Sequence, residues 1–102
     1  MSYRAEVKKN SEVSYACSNM SWHFMLSEIE GAVEEKHKPS IQKLQEASHD
    51  GKSIRWYECR AVAAALETVK NGVDIFSGAQ DVQALLNVFR TAAEMKSSVY
   101  IG

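Results

Sequence analysis

Most of the residue patterns that announce a chemistry are missing from this sequence. Pro39 is the only proline among 102 residues, and no Pro-, Gly- or Ser-rich stretch reads as a linker, a repeat or a low-complexity segment. Two cysteines, Cys17 and Cys59, are too few for a disulfide framework, and both are read as reduced, buried thiols. Cys17, Cys59, His23, His37 and His49 fall in no C-x-x-C, H-x-x-x-H or H-E-x-x-H spacing, so no local metal chelate is expected. Walker A, G-x-G-x-x-G and G-x-S-x-G patterns are absent too, and no cofactor is expected. Charge of one sign is lacking as well. Twelve basic and thirteen acidic side chains leave a net −1, which argues against a nucleic-acid binder that works by counterion release. No apolar run approaches the roughly 20 residues needed to cross a bilayer. The opening Met1-Ser2-Tyr3-Arg4-Ala5-Glu6 has no apolar signal-peptide core, so the expected compartment is the cytoplasm.

What is present is patterning. Hydrophobic residues make up 45% of the chain, an ordinary globular share, and the length suits one domain over residues 1–102. The best specified stretch begins at Ser77-Gly78-Ala79-Gln80, where Ser77 and Gln80 read as a capping box. Val82, Leu85, Leu86, Phe89 and Ala93 then form one helical stripe, with Asp81 and Lys96 suiting the two ends of its dipole. Earlier, Tyr3, Ala5 and Val7, then Val13, Tyr15 and Cys17, alternate with polar residues as strands do, and the Lys8–Glu12 stretch turns between them. Asn19 or Ser21 caps a first helix through Trp22, Met25, Leu26, Ile29 and Val33 to about Lys36, with Gly31 inviting a close neighbour and Glu34 spaced to pair with Lys38.

Pro39 starts a second helix marked by Ile41, Leu44 and Ala47, and His49-Asp50-Gly51-Lys52 ends it in a turn. The Ser53–Tyr57 stretch reads either as extended chain or as a helix start. From Trp56 a third stripe runs through Cys59, Val62, Leu66 and Val69 to Asn71-Gly72. Val73, Ile75 and Phe76 form an apolar connector, and Val99-Tyr100-Ile101 makes a closing strand. The fold class predicted is α+β: a helix-dominated single domain with three to four helices against a small antiparallel sheet. That sheet has two or three strands and joins the N- and C-terminal ends of the chain.

No catalytic residue is assigned. Cys17, before a helix N-terminus with His23 six residues on, is the only defensible nucleophile, and no acid is fixed to orient the histidine. The function expected is non-catalytic binding of another protein, of inhibitor, immunity or adaptor type, or of a second copy as a homodimer. Trp22, Trp56, Tyr57 and Tyr100 are the interface candidates, because amphipathic aromatics favour hot spots. The alternative is a small anionic ligand or nucleotide held by Asn19, Arg55, Trp56, Tyr57 and Arg60, through a helix N-terminus, guanidinium groups and stacking.

Overall fold

The computed structural model describes residues 2–71 and 78–102. In chain order these form β1 (Ser2–Val7), β2 (Asn10–Ser18), α1 (Asn19–Ala32), α2 (Lys38–Asp50), β3 (Ser53–Ile54), α3 (Trp56–Glu67), α4 (Ala79–Met95) and β4 (Val99–Ile101). A single 3-10 turn, Glu35–His37, leads into α2. The expected α+β class is the one observed. The sheet holds four antiparallel strands in the order β2-β1-β4-β3, one more than the sequence pattern suggested. The extra strand is β3, two residues that gain their ladder only by meeting Val99 and Tyr100.

Period-two alternation puts Ala5 and Val7 in the core, with Tyr3, Val13, Tyr15 and Cys17 packed against it. The chain ends meet as expected. Ala5, Glu6 and Val7 pair with Ile101, Tyr100 and Val99. The core lies between this face and the helices, where Leu26, Ile29, Leu44, Val62, Leu66, Leu85 and Phe89 from the helical stripes are all buried. Among the described residues no helix is long and apolar enough to cross a membrane.

Several local expectations are corrected. Ser18, not Asn19 or Ser21, caps α1, its hydroxyl accepting the Ser21 N–H at 3.2 Å. The helix ends at Ala32 rather than near Lys36. Lys38 leaves Glu34 and donates to the Glu30 carbonyl at 2.7 Å, satisfying an acceptor in the last turn of α1. Glu34 lies instead 3.6 Å from Lys36, both exposed. A Cβ added at Gly31 would meet open space, so no neighbour uses the glycine for close approach. Gly51 does use its freedom, sitting at φ 62° where α2 ends. The expected capping role of Ser77, the Gly72 cap and the Val73–Phe76 connector lie outside the described residues, and Gly78 occupies the N-cap of α4.

Candidate functional site

One corner of the molecule gathers exposed aromatic and basic side chains. Ser53 and Ile54 pair with Tyr100 and Val99 at the sheet edge, and the chain then turns at Arg55, the N-cap of α3. An arginine has no acceptor for the free N–H groups of the first turn. Glu58 makes the reverse bond instead, its Oε1 accepting the Arg55 N–H at 3.2 Å, while its other oxygen pairs with Lys43. The Lys43 hydrogen bond holds the Glu58 carboxyl below its ordinary range, against the opposing effect of partial burial. A carboxylate of the chain itself therefore already occupies the positive end of α3.

The aromatic residues follow directly. Trp56 is 37% exposed and Tyr57 52%, and their rings meet edge to face at 5.9 Å and 82°. The Arg55 guanidinium donates to the Tyr57 hydroxyl at 3.1 Å. The Lys96 ammonium stands 5.9 Å from the centre of the Trp56 ring. Lys96 ends α4 at φ 52°, the one non-glycine residue with positive φ among those described. Tyr100, 40% exposed, pairs with Ser53, but its ring leans over Gly102, away from Arg55 and Lys96, so this interface candidate stands apart from the corner. Arg60 is exposed one turn along α3 from Trp56.

Two further candidates do not belong to this corner. Trp22 is fully buried, stacked on Tyr3 at 5.6 Å, and its indole N–H donates to the Ser48 hydroxyl at 2.8 Å. It is a core residue and is withdrawn from the interface set, because its polar tip finds a partner inside the protein. Asn19 follows Ser18, which pairs with Ser2 at the outer end of β1. Arg55 follows Ile54, joined through Val99 to Val7 at the other end. Strand spacings of ~4.8 Å and a rise of ~3.4 Å per residue put the two at diagonal corners, roughly 20 Å apart. Asn19 and Arg55 do not share a site.

Cys17 lines a groove of about 330 Å³ between β2, α1 and the start of α4, together with Tyr15, Met20, Phe24, Met25 and Asp81. Burial pushes this thiol up from its ordinary value; the Tyr15 hydrogen bond opposes that and the Asp81 charge adds to it. The thiol is thus held neutral rather than activated. Tyr15 donates to Asp81 at 3.1 Å, and its hydroxyl is raised by burial first and by Cys17 and Asp81 after. His23 and His49 come within 5.8 Å of each other. Among the described residues, no group of three His, Cys, Asp or Glu side chains is placed to hold a metal ion.

Three exposed residues lie outside the candidates that the sequence suggests: Lys96, which reads there only as a partner of the helix dipole, Met20 and Phe24. For the last two a signal existed. They stand four apart on α1, off the buried stripe, and so mark a second apolar face.

The second thiol sets a pH dependence. Cys59 is buried, donates to the Ile54 carbonyl at 3.5 Å, and is pushed by burial up to about 12. In the unfolded chain a thiol ionises near 8.5, roughly, so the contribution of Cys59 is complete below that pH and is lost as pH rises toward the folded value. Melting temperature is expected to be level from neutral pH to about 8.5 and then to fall, with a shallower fall in Cys59→Ala. Circular-dichroism melts across the alkaline range measure both slopes.

Comparison of the chain with protein-family models, curated proteins and solved structures gives no match.

Proposed function

We propose that this protein acts without catalysis by binding another protein, an acidic one, through the corner formed by Arg55, Trp56, Tyr57 and Lys96. The observation that carries the reading is Trp56, a large ring left partly in solvent, with the Tyr57 ring perpendicular to it and the Lys96 ammonium 5.9 Å from its centre. A tryptophan held in place by its neighbours is what interface hot spots favour. The cations around it, in a chain whose overall charge is only −1, supply local complementarity to acidic surfaces, which speeds association and screens out wrong partners. Backbone geometry adds support. Lys96 holds a left-handed conformation that costs a non-glycine residue stability, and residues under such strain cluster where function needs them.

The anionic-ligand reading has less behind it. Asn19 is remote from Arg55, and the Glu58 carboxylate already sits at the N-terminus of α3, where a small anion would bind. The test uses the intact chain with a photoreactive phenylalanine at position 57 and, as a control, at exposed position 42 on α2. The expected result is one discrete protein adduct in cells from position 57 and none from 42, with formation falling as salt rises. A melting temperature raised by a nucleotide panel and restored to its unliganded value by Arg60→Ala would overturn the reading in favour of the ligand alternative.

A further inference from the structure

Among the described residues, the opposite corner of the sheet presents an edge without the usual protections. Arg4 and Gly102 exchange main-chain bonds of 2.7 and 2.9 Å, and the Lys8 N–H donates to the Ser98 carbonyl at 2.9 Å. Even-numbered residues of β1 therefore point their amides toward β4 and odd-numbered ones toward β2. Tyr3 faces Cys17 and Ala5 faces Tyr15, so Tyr15 and Cys17 spend their amides on β1. Ser14, Ala16 and Ser18 turn their N–H groups away from the sheet.

The first half of β2 is not available for regular pairing. The register shifts between Glu6 and Val7, so that Ser14 and then Asn10 are their partners, and the Arg4 side chain donates to the Ser11 carbonyl at 3.3 Å. Such a bulge guards an edge, as charges and prolines do. Ser14-Tyr15-Ala16-Cys17-Ser18 has none of these guards. Beside it on α1 stand Met20, 70% exposed, and Phe24, 50% exposed, which wall the groove shared with Tyr15 and Cys17.

The geometry points to a second copy of this chain as the occupant, paired antiparallel through Ser14–Ser18 about a two-fold axis at Ala16. In that register Ala16 meets its own equivalent, Ser14 meets Ser18 and Tyr15 meets Cys17. The ladder supplies about four main-chain bonds, two between the Ala16 residues and one from each Ser18 N–H to the facing Ser14 carbonyl. Charge permits it. Arg4, which pairs with Ala16 across β1 and β2, stays three strand spacings, roughly 14 Å, from its equivalent, beyond a physiological Debye length. A stable dimer buries about 800 Å² per partner. A five-residue ladder alone falls short of that, so the proposed dimer also requires the exposed Met20 and Phe24 to be covered. The product is one eight-stranded sheet, β3-β4-β1-β2 continued by its mirror order, with a Trp56 corner at each end. This inference stands independently of what the Trp56 corner binds.

Sedimentation equilibrium of the intact chain tests it. At roughly 100 µM, above the micromolar range of weak interfaces, the expected mass is twice the 11.4 kDa of one chain. Ala16 is exposed and directs its N–H outward; Ala16→Glu gains Arg4 as its cross-strand neighbour and Ala16→Lys is mildly repelled by it, so both are expected to retain the monomer fold, which far-UV circular dichroism checks. Each variant alone places like charges face to face and is expected at the single-chain mass. An equal mixture of the two is expected to recover the double mass, because glutamate then faces lysine. A single-chain mass for the unaltered protein, a double mass retained by Ala16→Glu, or a mixture that stays monomeric overturns the proposal.

Discussion

Trp22→Ala is expected to destabilise the fold by about 4 kcal/mol, the range for emptying a buried tryptophan site. Total stability of a domain this size is about 5–15 kcal/mol, so the variant keeps only part of it, and its melting temperature falls by roughly 15–30 °C. The cost has two sources. The indole fills the space where α1 meets α2 and β1, stacked on Tyr3, and no smaller group covers the same apolar area. Its N–H also satisfies the Ser48 hydroxyl, which in turn donates to the Leu44 carbonyl at 2.8 Å. Trp22→Phe separates the two, because it retains most of the volume and loses only the bond. About 1–2 kcal/mol is expected there, since Ser48 still donates within α2. Urea denaturation of both variants gives the comparison. A Trp22→Ala midpoint close to that of the unaltered chain would return this residue to the surface.

That residue also shows how far the sequence can be read. Its place on a 3.6-residue stripe with Met25, Leu26 and Ile29 was legible, as were the stripes of α3 and α4 and the meeting of first and last strands. Each stripe is a periodicity contained in one segment, and the end strands meet because a small sheet has few others to join. What was illegible is which distant side chains meet. Ser48 lies 26 residues from Trp22 in sequence, and only the α1–α2 packing brings its hydroxyl under the indole. Without that partner the tryptophan looked like an amphipathic group in need of an interface. The two-residue strand Ser53–Ile54 has no pattern of its own and exists through its register with β4. Part of the candidate site was legible. Arg55, Trp56 and Tyr57 are adjacent in sequence, but Lys96 joins them only because the end of α4 comes to rest beside the start of α3. Helix ends attract anions generically, which is the only ground for grouping Asn19 with them, and the strand order separates them.

Under the binding proposed for that corner, Trp56→Ala is expected to weaken the complex by at least 2 kcal/mol, about 30-fold in Kd. The fold should lose little, because the ring is partly solvated and lies outside the buried cluster. Titration of the captured partner against the variant measures the first effect and urea denaturation the second. Lys96→Gly provides the sharper contrast, since its two effects have opposite signs. Glycine accepts φ 52° without the Cβ penalty that lysine bears there, so the fold is expected to gain about 1 kcal/mol. The same change removes the ammonium from the Trp56 face, and affinity for an acidic partner is expected to fall by roughly 3- to 5-fold. A variant that folds better and binds worse cannot owe its lost affinity to unfolding. If Lys96→Gly instead gained stability and bound unchanged, the strain at that position would serve no recognition, and the corner would lose the cation on which its preference for an acidic surface depends.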